Sequence, residues 1–187
     1  MVISFYRLVS VFKFMIREIH AKLNPLGYAR SIGVTIGKNV YFYGMPSGMF
    51  GTEPWLIKIG DNVHITSGCT FVTHDGGTLI LRKEVADLEW TAPISIGNDV
   101  YIGIKSLIMP GVNIGNRVIV GAGSIVTHDI PDNSVAVGVP ARVIKSVDEY
   151  LVQMKKKSLK CGHLNGLEKE VVLKKIFGIT SKASILK

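Results

Sequence analysis

Aliphatic residues return at every sixth position between residues 96 and 131, where the chain divides into the units IGNDVY, IGIKSL, IMPGVN, IGNRVI, VGAGSI and VTHDIP. The first position of each unit is Ile or Val, and the position four residues later is small or aliphatic. The strands of an ordinary sheet alternate with period two, so a six-residue period predicts a coil with short, flat sides. The two inward columns are Ile96, Ile102, Ile108, Ile114, Val120 and Val126, and Val100, Ser106, Val112, Val118, Ser124 and Ile130.

Glycine follows the leading aliphatic residue in four of these units, as expected where the chain bends and has no room for a Cβ. Three six-residue sides close a triangular coil, and stacked coils pair their strands in parallel, which satisfies the backbone groups. The same pattern recurs at residues 59–76 and, more weakly, at residues 36–41. The sequence therefore predicts an all-β domain, a parallel β-helix, over residues 31–145. The four glycines are Gly97, Gly103, Gly115 and Gly121.

Two stretches, residues 114–127 (IGNRVIVGAGSIVT) and 137–144 (VGVPARVI), resemble the hexapeptide-repeat acyltransferases, in particular the maltose, galactoside and xenobiotic O-acetyltransferase branch. The resemblance covers residues 31–145. It implies that the β-helix is left-handed, that acetyl-CoA is the co-substrate, and that the active sites lie between the subunits of a homotrimer. It implies no metal cofactor.

The two ends of the chain hold its positive charge. The formal net charge of +8 divides into +4 for residues 1–30, −1 for residues 31–145 and +5 for residues 146–187. Because the excess lies outside the predicted core, we do not expect nucleic acid as a partner. Residues 146–187 are typical of a helix with a basic tail that caps the open β-helix. Cys69 and Cys161 form no CxxC pair, which fits a reducing, cytoplasmic location.

Residues 2–23 are apolar enough to raise the question of a membrane span. Arg7, Lys13 and Arg17 interrupt the apolar runs before they reach the roughly 18 residues that a span requires. Polar residues return at steps of three or four, so an amphipathic helix is predicted within residues 1–30. Its apolar face can pack on its own β-helix or a second subunit, which we favour, or rest peripherally on the inner face of a membrane.

Residues 74–93 break the six-residue register and must leave the coil as a loop, which is where function concentrates on a rigid scaffold. His74 stands where the loop departs. Transfer of an acyl group to a hydroxyl needs a base that titrates near neutral pH, and imidazole meets this need. In the resembling family a loop after this coil contains the catalytic histidine, so His74 is the predicted general base. Asp75 could orient the imidazole, although an Asp-Gly-Gly run is equally typical of a turn.

The resemblance also implies a binding site for the acetyl donor. The backbone N–H of Ile104, next to Gly103, would stabilise the oxyanion that forms on the thioester. Arg142 and Lys145 correspond to a basic pair near the CoA phosphates, which attract the cationic side chains of Arg and Lys. The strip along which the pantetheine arm lies corresponds to Gly121, Ala122, Thr127 and His128.

A second excursion, between residues 44 and 55, also loses the register, and this excursion, which contains Glu53, is expected to reach toward the His74 site. Glu53 and the aromatic residues Trp55, Trp90 and Tyr101 are candidates for acceptor binding, because aromatic faces suit sugar rings. The leading hypothesis is an enzyme, an acetyl-CoA-dependent O-acetyltransferase acting on a hydroxyl of a sugar or other small acceptor, for example in cell-envelope polysaccharide biosynthesis.

Other functions fit the same repeat. The acceptor could be the amine of an amino sugar, or serine. Zinc carbonic anhydrases also use hexapeptide coils, but their metal site needs a close histidine pair, and His64, His74 and His128 show no such spacing. A non-catalytic scaffold is the remaining alternative.

Overall fold

The computed structural model describes residues 5–179 of the chain. Residues 1–4 and 180–187, which include the ends of the predicted N-terminal helix and basic tail, lie outside this range. The chain divides into two compact units, residues 1–148 and residues 149–187. The first unit contains the predicted β-helix and both predicted excursions.

Thirteen short strands build the first unit. They form three sheets with the orders β1-β3-β6-β9, β2-β4-β7-β10-β12-β13 and β5-β8-β11, and all pairs are parallel except β12 with β13. The strands are β1 (Thr35–Ile36), β2 (Tyr41–Phe42), β3 (Ile57–Ile59), β4 (His64–Ile65), β5 (Thr70–Phe71), β6 (Ile94–Ile96), β7 (Tyr101–Ile102), β8 (Leu107–Ile108), β9 (Asn113–Ile114), β10 (Ile119–Val120), β11 (Ile125–Val126), β12 (Ser134–Gly138) and β13 (Ala141–Ser146).

Paired residues lie eighteen positions apart in the second half of the coil, as in Tyr101 with Ile119 and Leu107 with Ile125. Eighteen residues are three six-residue units, so each turn of the coil has three sides. Successive turns pair side by side in parallel, which gives their backbone N–H and C=O groups partners. The predicted parallel β-helix is confirmed.

The core consists of the two predicted columns. Every member of both columns is at most 4% exposed, and Ile102, Ile108 and Val118 are fully buried. Burying one such aliphatic side chain contributes roughly 1.5–3 kcal/mol. Two serines share the interior because their hydroxyls have local partners: Ser106 Oγ donates to Gly103 O (2.7 Å) and Ser124 Oγ to Gly121 O (2.7 Å).

The corner glycines are required by crowding between turns. A Cβ on Gly103 would lie 2.4 Å from the backbone N of Ala122, and one on Gly97 would lie 2.6 Å from Gly115 O. Atoms cannot approach so closely, so a larger residue at either corner would push two turns of the coil apart. The expected lack of room for a Cβ is confirmed at these positions.

A ladder of side-chain hydrogen bonds runs along one corner of the coil, and the repeat did not predict it. Along this corner, an Asp or Asn side-chain oxygen accepts the backbone N–H of the equivalent residue one turn earlier. Asp61 accepts from Lys38 (2.7 Å), Asn98 from Asp61 (2.8 Å), Asn116 from Asn98 (2.9 Å) and Asp132 from Asn116 (2.6 Å). The ladder therefore satisfies backbone donors at the bends, where strand pairing stops.

Two helices precede the coil where one was predicted. Helix α1 (Phe5–Leu23) and helix α2 (Pro25–Ser31) are separated at Asn24, whose Oδ1 accepts the N–H of Gly27 (2.9 Å) as an N-cap. Ala29 of α2 is buried in the core of the coil. No helix within residues 5–179 is both long enough and apolar enough to cross a bilayer.

The end of the chain departs from the expected pattern in two ways. Residues 137–144, the second stretch that resembles the hexapeptide-repeat acyltransferases, belong to the antiparallel hairpin of β12 and β13 rather than to another parallel turn. The predicted helix and basic tail become two helices, α3 (Val147–Lys157) and α4 (Gly166–Ile176). Asp148, the last residue of the first unit, accepts hydrogen bonds from Arg117 (2.7 Å) and Asn133 (2.8 Å) at the coil corners. The capping role of residues 146–187 stays a prediction.

Replacing Asp61 by Ala should lower the free energy of unfolding by about 0.5–1.5 kcal/mol, because Lys38 N–H loses its acceptor. Asp61→Asn keeps an acceptor oxygen at the same place and should recover most of this loss. Urea unfolding followed by circular dichroism measures both variants. An equal loss in the two variants would contradict the ladder.

Candidate active site

The predicted active-site loop leaves and re-enters the coil at one point. His74 and Thr91 form an antiparallel bridge, flanked by hydrogen bonds from Asp75 N to Trp90 O (2.9 Å) and from Ala92 N to Thr73 O (2.8 Å). The backbone at His74 is therefore fixed by a short ladder at the base of the loop. A side chain on a rigid base keeps its geometry even when the rest of the loop moves.

Glu53 is the residue that meets His74. It lies in the excursion between β2 and β3, directly before a 3₁₀ turn (Pro54–Leu56). Its Oε2 is 2.9 Å from His74 Nδ1. The sequence led us to expect that this excursion reaches His74, and the structure brings the two side chains together.

Two threonines hold the Glu53 carboxylate in place. Thr52 Oγ1 donates to Glu53 Oε1 (2.6 Å) and Thr73 Oγ1 donates to Oε2 (2.6 Å). These hydrogen bonds, from Thr52 first, then Thr73 and then His74, lower the pKa of Glu53 from 4.5 to about 2. Glu53 is therefore ionised at neutral pH and acts only as an acceptor.

The ionised carboxylate assigns the tautomer of the imidazole. Since Glu53 can only accept, Nδ1 of His74 is the protonated nitrogen, and Nδ1–H donates to Oε2. In the neutral imidazole Nε2 then has the lone pair, and it makes no hydrogen bond within residues 5–179. The His74 side chain is 37% exposed, so solvent or a ligand can reach it. This arrangement supplies an oriented general base.

The structure brings Glu53, and not Asp75, into contact with the His74 imidazole. Asp75 Oδ1 accepts the N–H of Gly77 (2.8 Å) and caps a 3₁₀ turn (Gly76–Leu81). An aspartate followed by two glycines favours such local bonds, because its short side chain reaches the backbone two residues ahead. The carboxylate is occupied there, and the turn interpretation of the Asp-Gly-Gly run is correct.

A groove of about 260 Å³ opens beside the His74–Glu53 pair. Within it Arg82 forms an ion pair with Glu89 and donates to Leu88 O (3.0 Å), which ties the middle of the loop to its later part. Three carboxylates against one guanidinium give the groove an acidic lining. It is lined by Thr52, Glu53, His74, Asp75, Gly76, Thr78, Leu79, Arg82 and Glu89.

The predicted aromatic residues lie outside this lining. Trp55, Trp90 and Tyr101 are 63%, 51% and 45% exposed, and none of them lines the groove of His74. Tyr101 lies on the outer face of the coil, paired with His64 in the next strand. In a single copy of the chain these rings are surface side chains.

The backbone N–H of Ile104, the predicted oxyanion donor, takes no part in the strand pairing. Ile104 follows β7 at a corner and is 47% exposed. Its carbonyl accepts from Gly123 N (2.7 Å), whereas its N–H has no acceptor among the residues that the structure describes. Gly103, directly before it, donates its own N–H to Val120 O (2.8 Å) and so belongs to the strand pairing.

A second groove brings together residues predicted to bind the donor. It has a volume of about 300 Å³ and lies between β11 and the β12–β13 hairpin. His128 and Arg142 both line it, and the His128 ring contacts the Thr127 hydroxyl (2.8 Å, Nδ1 to Oγ1). Lys145 lies in β13, opposite Val135 of β12. Gly121 and Ala122 lie at the corner of the coil directly after β10, where Ala122 is exposed.

The remaining histidine of the repeat has aromatic and hydroxyl partners. His64 stacks on Tyr41 with ring centroids 4.9 Å apart, and its Nδ1 lies 2.9 Å from the hydroxyl of Tyr43. Across the described part of the chain, no three His, Cys, Asp or Glu side chains are grouped so that they could hold a metal ion.

Sequence reasoning missed the residues that support the pair. Thr52 and Thr73 are neighbours of Glu53 and His74 in the chain, so a hydroxyl beside each candidate was the available signal. Arg82 and Glu89 have opposite charges within one loop, which is a weaker signal because most such pairs are solvated.

Comparison with known proteins agrees with this fold. The family model of the bacterial transferase hexapeptide (six repeats) matches residues 93–128. Protein CapG of Staphylococcus aureus is 46% identical over 144 residues, which cover 77% of this chain and 84% of that protein. Galactoside O-acetyltransferase of Escherichia coli is 40% identical over 126 residues, and the match spans 67% of this chain but only 60% of that enzyme.

Solved structures show the same architecture. The hexapeptide-repeat acetyltransferase VCA0836 of Vibrio cholerae matches with a TM-score of 0.51 and 27% identity, over 65% of this chain and 78% of that one. Its complex with acetyl coenzyme A matches with a TM-score of 0.54 and 24% identity, over 76% and 90%, which shows the fold. The chain belongs to the bacterial hexapeptide-repeat transferase family, and its relatives include named acetyltransferases.

The ionised state of Glu53 should make the folded protein sensitive to acid. A carboxylate whose pKa falls from 4.5 to about 2 on folding stabilises the protein above pH 4.5, and this contribution disappears as the pH falls toward 2. Glu53→Gln should remove this part of the acid dependence, on the order of 1–3 kcal/mol, between those limits. Urea unfolding at several pH values measures it. Identical pH profiles for the two proteins would exclude the linkage.

Proposed function

We propose that the protein is an acetyl-CoA-dependent O-acetyltransferase in which His74 is the general base. The observation behind this proposal is the 2.9 Å contact of His74 Nδ1 with Glu53 Oε2, which leaves Nε2 available on an accessible imidazole. Family membership supports the class of reaction. The name of the Escherichia coli relative, a galactoside O-acetyltransferase, supports a sugar hydroxyl as the acceptor.

The reaction is a direct transfer. Nε2 of His74 takes the proton of the acceptor hydroxyl while the oxygen attacks the thioester carbonyl carbon. The negative charge that forms on the carbonyl oxygen is stabilised by the N–H of Ile104. The carbon–sulfur bond then breaks, the CoA thiolate takes the proton from the imidazolium, and the acetyl ester is released. Glu53 stabilises the imidazolium and keeps the ring oriented.

The donor would lie along the coil from Ile104 to the β12–β13 hairpin. The small corner residues leave room for the thin pantetheine arm, and Arg142 and Lys145 would meet the CoA phosphates. The pantetheine strip would consist of Gly103, Gly121, Ala122, Thr127 and His128.

The active enzyme would be a homotrimer of left-handed β-helices. In one chain, the groove of His74 and the groove of Arg142 have no lining residue in common. A site between subunits would unite a base from one copy with a donor strip from another. Light scattering of the full chain should give three copies.

The acceptor would be a neutral sugar rather than an acidic one. The groove of His74 has three carboxylates, from Glu53, Asp75 and Glu89, and its one guanidinium is already paired with Glu89. Such a lining favours hydroxyl donors and repels carboxylates and phosphates. In the trimer, Trp55, Trp90 and Tyr101 would add aromatic faces for the ring. We place the enzyme in the cytoplasm, at the inner face of the membrane, with cell-envelope polysaccharide as the product class.

Replacing His74 by Ala should lower turnover by roughly 10²–10⁴ without unfolding the protein, because only proton transfer is lost. The assay follows free thiol release from acetyl-CoA with a panel of sugars, and product analysis separates O- from N-acetylation. His163→Ala, at an exposed histidine of the second unit, is the matched control. Unchanged turnover in the His74 variant would remove the mechanism.

Replacing Arg142 by Ala should raise KM for acetyl-CoA by about 10–100-fold with little change in kcat, because charge-assisted bonds to phosphate are lost. With acetyl-pantetheine, which lacks the nucleotide phosphates, the variant and the unmodified protein should have the same KM and kcat. An equal effect on both donors would show that Arg142 does not meet the phosphates.

A further inference from the structure

Helix α1 presents a continuous apolar face that no residue of the described chain covers. With roughly 100° of rotation per residue, six of its side chains fall within an arc of roughly 100°. Each of them is more than half exposed, and Leu23 is 79% exposed. The apolar face consists of Leu8, Phe12, Met15, Ile16, Ile19 and Leu23.

The helix is joined to the coil through its other side. Ala21 is fully buried. Glu18 accepts a hydrogen bond from Ser47 Oγ (2.8 Å), and the His20 ring packs edge-on against Tyr28 (5.9 Å between centroids). The attachment therefore uses the C-terminal half of α1, and it leaves the apolar face directed outward.

Cations border the apolar face on both sides. Lys22 lies at one margin, and Lys13 lies at the other, next to His20. Arg7 and Arg17 add further positive charge, and within the described helix only Glu18 opposes it, so α1 has a net charge of +3. Long cationic side chains at the edges of an apolar face can extend to phosphate groups while their stems stay in the apolar layer.

We infer that α1 lies in the interface of an anionic phospholipid bilayer, with its apolar face among the acyl chains and its cations among the headgroups. The charges distinguish this occupant from a second copy of the chain. Two copies paired through this face would bring cationic margins together, which is unfavourable, whereas an anionic surface attracts them. The helix lies on the membrane and does not cross it, in keeping with its length and charges.

Docking of α1 also concerns the active site. Ser47, which donates to Glu18 of the helix, belongs to the same excursion that contains Glu53. A membrane-bound α1 therefore holds the segment that positions His74. The inference is independent of the acetyl-transfer proposal, because it predicts membrane binding whether or not the enzyme turns over.

The experiment is flotation of the full chain with vesicles of phosphatidylcholine alone or with one quarter phosphatidylglycerol. We expect binding to the anionic vesicles at least tenfold stronger than to the neutral ones, and weaker at high salt. The double variant Lys13→Gln, Lys22→Gln should lose about 30-fold in affinity for anionic vesicles, at about fivefold per cation.

The apolar face is tested with a matched pair of substitutions in the same helix. Phe12→Glu places a charge at the centre of the face and should lower vesicle binding at least tenfold. Phe14→Glu makes the same change roughly 200° around the helix, at a residue that is also exposed (54%), and should lose only the roughly fivefold in affinity that one unit of charge costs. Circular dichroism and acetyl transfer in free solution verify that both variants fold.

Three outcomes would overturn the inference. The unmodified chain could fail to float with anionic vesicles. The Phe12 and Phe14 variants could bind alike. Light scattering could show that Phe12→Glu reduces the number of copies in the oligomer while the unmodified chain ignores vesicles, in which case a second copy covers the face.

Discussion

Parallel pairing between turns eighteen residues apart is the constraint on which this molecule depends. Each strand from β1 to β11 contributes only two or three residues to its sheet, too few to be stable alone. The aliphatic columns and the backbone pairing therefore form together: the interior fills only if successive turns are in register, and the register holds only if every sixth side chain fits the interior. At the bends, the corner ladder of Asn and Asp side chains keeps successive turns aligned in the same way.

This regular body gives the two excursions fixed points of origin. One leaves after β2 and the other after β5, and they return before β3 and β6, which are neighbours in one sheet. Glu53 and His74 are twenty-one positions apart in the chain, yet they meet because both excursions start from adjacent turns. The threonine hydroxyls then keep the carboxylate ionised, and the carboxylate fixes which nitrogen of the imidazole is free. The chemistry of the pair thus follows from the stacking of the coil.

Features that repeat along the chain could be predicted from the sequence, whereas contacts that occur once in the structure could not. A six-residue period is visible in one dimension, because the same environment recurs at each unit, so the columns, the corner glycines and the two interruptions could all be located. His74 was singled out because it marks an interruption. That Glu53 and not Asp75 touches the imidazole depends on a contact across two excursions, and the chain offers no period for such a contact. The same holds for the hairpin at residues 134–146, where the residues continue the aliphatic pattern while the strand direction reverses, and for the break at Asn24.

The bridge between His74 and Thr91 has a consequence for how this architecture diversifies. Since the segment between them enters and leaves the coil at adjacent strand ends, strand pairing in the coil does not depend on the length or composition of this segment. Insertions, deletions and exchanges there leave the pairing of β3 with β6 unchanged. The stability of the fold therefore resides in the coil, whereas the loop of about twenty residues can vary between related proteins and change which acceptor is bound. His74, at the foot of the loop, keeps its position.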